Sequence, residues 1–198
     1  MSHRAMKGLL SALGKEAAKD VERPGEPRAV MRAFCRAMSV RAGRPVELVF
    51  RAFPADIPVS GLRLDLGDRS LVVVEEHTVA EAQLVILGHE LWHEEQGDLV
   101  HHVAARAVAP PQQAPDAVRR AAEQILADAE VPHDALLAVA ARAESPDDHE
   151  VDAETFGLLF GREVRTWMRG RYAEGPVTPA TLEGRMNLSL TNRGGRLL

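Results

Sequence analysis

The sequence predicts an α+β domain. Amphipathic helical segments come first, three short strand-like runs follow between residues 46 and 74, and a long helix then carries His-Glu-Leu-Trp-His at 89–93. Helices, a small antiparallel sheet and a further helix in that order make a sheet packed by helices. With 198 residues and 45% hydrophobic content, the chain can bury one substantial core and carry an appendage. The expected division is N-terminal helices over 1–44, a main domain over 45–170 with a helical insertion at 99–145, and a tail over 171–198.

Residues 2–20 read as a short amphipathic helix, which Pro24-Gly25-Glu26-Pro27 breaks. Residues 28–42 read as a second helix, with Val30, Phe34, Ala37 and Met38 on one face and Arg28, Arg32 and Arg36 on the other. The arginine stripe is a solvated face, with a partner or nucleic-acid contact as the alternative. Val46 to Phe50 is a short apolar run, Leu62, Leu64 and Leu66 alternate with polar residues, and Leu71 to Val74 is an apolar run bounded by charge. Gly67-Asp68 between the last two suits a tight hairpin turn. A strand beside the next helix offers an edge on which an extended peptide can pair through its main chain.

That next helix has signals at both ends. Thr78-Val79-Ala80-Glu81 fits a capping box, and Gly97 supplies a stop. Leu84 to Gly88 is apolar almost all round, as in a helix running through a core. Residues four apart on a helix sit one above the other, so His89 and His93 aim two imidazoles at one point, at the spacing a single Zn²⁺ needs. Glu90 lies one residue on, where it can take a proton from water beside the metal. The bland reading is a pair of surface histidines on an ordinary helix.

A catalytic zinc site needs a third protein ligand. Position 99 is Leu, so the pattern with a third histidine six residues on is absent, and His101 and His102 lie beyond Gly97. Ala109 to Pro115 reads as a linker, and 116–129 and 134–144 as Ala-rich helices. Ser145-Pro146-Asp147-Asp148 opens a strong helix that runs to about Arg169, with Gly170 as its end. On it Glu150 and Glu154 share a face near Ala153, Phe156 and Gly157, while Asp152 points roughly opposite. Small residues there let the helix approach another closely. Packing that face on the motif helix aims Glu150 at the metal in preference to Asp152, His101 or His149. A salt bridge to an arginine is the bland explanation for acids on such a face.

With these residues set out, the chain resembles the ImmA/IrrE-type metallopeptidase domain. His89-Glu90-Leu91-Trp92-His93 is followed by Glu150-Val151-Asp152-Ala153-Glu154-Thr155-Phe156-Gly157. The family's second motif reads Glu, two variable residues, Ala, Asn or an acid, one residue, Phe and Ala. The resemblance covers about residues 45–165 and implies a zincin-like fold. It also implies Zn²⁺ held by His89, His93 and Glu150, Glu90 as the catalytic base, and Glu154 orienting a ligand histidine from behind. Implied substrates are proteins such as a helix-turn-helix repressor. Gly88 to His93, Phe156 to Leu159 and Arg165-Thr166-Trp167 are similar to short actinobacterial proteins described as toxin components of toxin–antitoxin pairs, whose partner is an antitoxin. The chain departs from the simplest family members in the 56 residues between His93 and Glu150 and in lacking a Leu-Met-Pro ending.

Composition narrows the alternatives. The net charge of −5 divides into +6 over residues 1–51, with 11 Lys+Arg against 5 Asp+Glu, and −11 over the rest, with 13 against 24. That balance argues against a dedicated nucleic-acid binder and leaves the basic first quarter as a surface for an acidic partner. A single cysteine, Cys35, permits no internal disulfide and suits a reducing cytosol. No apolar run approaches the ~20 residues of a membrane span, and the N-terminus has no continuous apolar segment of the export type. The expected function is a cytoplasmic zinc-dependent peptidase, regulatory or toxin-like. The alternative is a zinc-stabilised interaction module that acts by binding a partner protein.

Overall fold

The computed structural model describes residues 3–53, 59–97, 103–105, 148–170, 172 and 173. Helices α1 (His3–Ala17) and α2 (Pro27–Ala42) lead into strands β1 (Val46–Arg51), β2 (Val59–Asp65) and β3 (Ser70–Glu75). Helix α3 (Ala80–Gln96), strand β4 (Val103–Ala105), helix α4 (Asp148–Val164) and a 3-10 turn over Arg165–Trp167 complete the order. The chain is α+β, with four α-helices among the described residues.

Apolar residues at three- and four-residue intervals build the first layer. α1 buries Met6, Leu9, Leu13 and Ala17 against α2, which buries Val30, Phe34, Ala37 and Met38. Arg28, Arg32 and Arg36 stay exposed, as the helix period requires. Pro27 sits in the first turn of α2, where its missing N–H would have had no partner. Gly43 ends that helix at φ 70°, a left-handed conformation that glycine adopts without a Cβ penalty. Residues 25–26 then fasten the far end of α4. Gly25 donates its N–H to the Trp167 carbonyl at 2.8 Å and accepts one from Arg169 at 2.8 Å.

The sheet has the order β1-β3-β2-β4, and it is mixed rather than antiparallel as expected. Gly67, at φ 86°, turns β2 back on β3 to give an antiparallel pair. β1 pairs with β3 in parallel. Two successive reversals return the chain to its first direction, and β1 lies against the strand two on rather than its immediate successor. β4 adds antiparallel to β2, so residues 103–105 are a strand within the stretch expected to be a helical insertion. The rest of that stretch, with the helices expected at 116–129 and 134–144, lies outside the described residues, as does most of the 171–198 tail.

Cross-strand partners share a face. The pairings Arg63↔Val72, Asp65↔Ser70, Val46↔Ser70 and Phe50↔Val74 put Arg63, Asp65 and Ser70 on the face whose Val46, Phe50, Val72 and Val74 join the core with α2, α3 and α4. Leu62 and Leu64 alternate as expected but point the other way, where they too are buried. It is Arg63 that meets the helices.

Two helix boundaries differ from expectation. α3 begins at Ala80 with Val79 as its N-cap and no side-chain capping bond, so the box expected from Thr78 and Glu81 does not form. The Val79 carbonyl accepts the first helical N–H groups, from Ala82 at 2.9 Å and Gln83 at 3.0 Å, which leaves Thr78 a residue too early. α4 gives way to the 3-10 turn at Arg165, short of the expected Arg169. Its Ser145-Pro146 start lies outside the described residues. No described helix is long and apolar enough to cross a membrane.

Candidate metal centre

Helix α3 lies between the sheet and α4, and its sequence serves both contacts. Leu84, Leu87 and Leu91 form one fully buried stripe. Towards α4 the side chains shrink. A Cβ on Gly88 would sit 2.6 Å from the Phe160 Cβ, and one on Gly157 would sit 2.7 Å from the Val85 carbonyl oxygen. Glycine at these two positions is what lets the helix backbones come close enough for a side chain of one to reach the side chains of the other. The small residues around Gly157 thus play the part the sequence suggested.

Close approach brings three side chains together. His89 and His93, one turn apart on α3, place their Nε2 atoms 3.1 Å from each other. Glu150, in the first turn of α4, puts Oε2 3.4 Å from His89 Nε2 and Oε1 3.5 Å from His93 Nε2. These three residues form a group that can hold a metal ion. The donor set fits one. Four ligands at the 2.0–2.1 Å typical of zinc lie about 3.3 Å apart along the edges of a tetrahedron, and the three observed separations bracket that length. Two imidazole nitrogens facing each other can share only one proton, whereas a cation satisfies both lone pairs and the carboxylate at once.

Burial divides the group. His93 is fully buried and His89 nearly so, while Glu150 keeps 36% of its side chain exposed. Glu90, the residue after His89, is fully buried and is not one of the three converging residues. Asp152 is also outside the group. His101 and the side chain of His149 lie outside what the structure describes.

Glu154 does not take the place expected of it. It is exposed and makes no hydrogen bond or ion pair among the described residues. The reason is rotational. The face of α4 that meets α3 runs through Ala153, Phe156, Gly157 and Phe160, all buried, and Glu154 is turned past Glu150 on the side away from that face.

The sequence reading missed the charged cluster behind the site. Glu94, the residue after His93, is buried and accepts from Arg63 Nη1 at 2.8 Å, Ser70 Oγ at 2.7 Å and Arg44 Nη2 at 2.9 Å. Arg44 also donates to both Asp65 oxygens, at 2.8 and 2.9 Å. That guanidinium holds the Asp65 carboxyl below its ordinary pKa, and Asp65, then Glu94, raise that of Arg44. An arginine alternating with leucines signals an outward side chain. Only the pairing of β2 with β3 reveals that Arg63 points in. No protein-family model, no curated protein and no solved structure matches the chain.

Proposed function

We propose that this chain is a zinc-dependent peptidase of the ImmA/IrrE type, built on a zincin-like arrangement, with His89, His93 and Glu150 as ligands and Glu90 as general base. The observation that carries the reading is the convergence of two imidazoles and one carboxylate from separate helices at metal-ligand spacing. Three protein ligands with one position left over is the pattern of catalytic rather than structural zinc. Bound there, Zn²⁺ supplies Lewis acidity to an amide carbonyl and acidifies water. Glu90 stands in a water-poor setting one residue from His89. Its carboxylate takes the proton that water loses as oxygen bonds to the amide carbon. It then hands that proton to the nitrogen as the C–N bond breaks. His89 and His93 are held by burial, and Glu150, with 36% of its side chain exposed, is the most accessible member of the group. The substrate class is protein, with a helix-turn-helix repressor or an antitoxin as the partner the resemblance suggests.

The test uses the zinc-loaded protein and a proteome-derived peptide library, with new N-termini read by mass spectrometry. Wild type is expected to generate them, and Glu90→Gln to abolish them while keeping about one zinc per chain. Zinc retained with no cleavage by wild type refutes the peptidase and leaves the zinc-stabilised interaction module.

A further inference from the structure

Helix α3 carries a charge where packing calls for an apolar residue. Leu84, Leu87, Leu91 and Glu94 follow one another at helical spacing along the buried stripe. Glu94 ends that stripe with its side chain 1% exposed. It is neutralised by two arginines, one of them, Arg63, as buried as Glu94 itself, and Arg44 is in turn matched by Asp65. The cluster ties the last turn of α3 to β2 through Arg63 and Asp65, to β3 through Ser70, and to the α2–β1 connection through Arg44.

Stability alone does not call for this arrangement. Replacing a buried ion pair with well-packed apolar residues is often neutral or stabilising, because desolvating two charges offsets most of their attraction. Apolar contact, however, has no direction, whereas the four hydrogen bonds from Arg44, Arg63 and Ser70 to Glu94 do. Direction matters here because His93 is the adjacent residue. An imidazole nitrogen stands about 7 Å from its helix axis, so a 10° rotation of that turn displaces it by about 1 Å. Metal sites tolerate only about 0.2 Å in ligand distance.

We propose that the buried cluster of Glu94, Arg63, Arg44, Asp65 and Ser70 is a positioning device for the metal centre. It fixes the rotation of the last turn of α3 so that His93 converges with His89 and Glu150. None of these five residues belongs to the converging group of His89, His93 and Glu150. The proposal rests on the metal-site reading above and extends it to residues that resemblance and motif leave unassigned.

The experiment measures zinc affinity of the full chain by competition with a chromophoric chelator, the visible spectrum of the Co²⁺-substituted protein, and the urea midpoint of the metal-free form. The double variant Glu94→Leu, Arg63→Met removes the directional bonds and keeps the volume apolar. It is expected to fold with a midpoint near wild type, to bind zinc about tenfold or more weakly, and to show an altered Co²⁺ spectrum. Arg44→Ala, at a partly exposed position, is the milder second variant and is expected to lose several-fold in affinity. Met6→Ala, in the core of α1, lowers the midpoint and leaves zinc affinity of the folded protein unchanged. Lowered midpoints with unchanged affinity and spectrum in the Arg44 variant and in any folded double variant would make the cluster structural only and overturn the proposal. A wild type that takes up no zinc instead sinks the metal reading, before any variant is compared.

Discussion

Helices α2 and α3 are 16 and 17 residues long and pack beside each other, yet only α3 buries polar and charged side chains along with its apolar ones. α2 hides Val30, Met31, Phe34, Cys35 and Met38 and turns its arginines to solvent. α3 hides Gln83, His89, Glu90, His93 and Glu94 along with its leucines. The first is what binary patterning alone produces. The second carries a desolvation cost of several kcal/mol per buried charge, so each polar group needs a specific compensation. Glu94 has its arginines, and the histidines have a carboxylate at 3.4 and 3.5 Å, about the separation of two ligands on one metal. The contrast separates a helix buried by apolar packing alone from one that also buries polar groups, two of which belong to a cluster able to hold a metal ion.

The largest expected effect tests that separation directly. His93→Ala on α3 should take bound zinc from about one equivalent to none, because a three-ligand site does not survive loss of a buried donor. Met38→Ala on α2 should cost about 2–5 kcal/mol of folding stability and leave the stoichiometry of the folded fraction intact. Elemental analysis after gel filtration and urea titration read the two effects. Full zinc retention by the His93 variant would erase the distinction. Glu150→Gln should fall between them, since water can stand in for a half-exposed ligand.

Next in size is the α3–α4 contact. Gly88→Ala forces a Cβ to 2.6 Å from the Phe160 Cβ and 3.1 Å from the Gly157 Cα, atoms at or next to backbone that cannot swing aside. Such overpacking costs about 1–3 kcal/mol, against about 1 kcal/mol gained in helix propensity. The variant should unfold at lower urea and bind zinc more weakly, because Glu150 moves away with α4. Unchanged zinc affinity would mean that Glu150 does not depend on this contact.

Cys35 sharpens the comparison from the α2 side. Burial pushes its thiol up to about 12, against the opposing charges of Arg36 and Arg32. The folded protein therefore keeps it protonated where the unfolded chain ionises near 9. The resulting stability is fully present below pH 9 and is lost as pH rises towards 12. Cys35→Ala should flatten the fall in urea midpoint above pH 9. Native protein at pH 8 should react with maleimide only as fast as it unfolds. Prompt labelling would place the thiol outside the core.

How much of this was legible in the sequence follows the range of the interactions. His89, His93 and Gly97 were readable because helical spacing and a helix stop are local. Glu150 needed only one further step, a helix face with small residues beside it. The parallel pairing of β1 with β3 was not readable, since no local signal says which edge a strand will join. Arg63 and Glu94 went unseen for the same reason. Each looks like an ordinary surface charge until the β2–β3 register and the placement of α3 bring them to 2.8 Å. The role expected of Glu154 came from the resemblance alone; four-residue spacing from Glu150 leaves about 40° of rotation, which at the edge of the α3–α4 contact puts Glu154 in solvent.

The smallest prediction sets one substitution in two places. Gly8 lies within α1, and a Cβ there would meet nothing within 4 Å. Gly8→Ala therefore gains helix propensity without a packing cost and should stabilise the protein by about 0.5–1 kcal/mol. The change should leave zinc affinity untouched, because α1 packs on α2 and carries none of the three converging residues. Gly88→Ala is the same chemical change with the opposite expected sign, so the pair isolates what the neighbour contributes from what the backbone contributes. A destabilising Gly8→Ala would mean that this glycine, too, faces a close contact. The line drawn between the α1–α2 packing layer and the tightly apposed α3–α4 pair would then have to move to include α1.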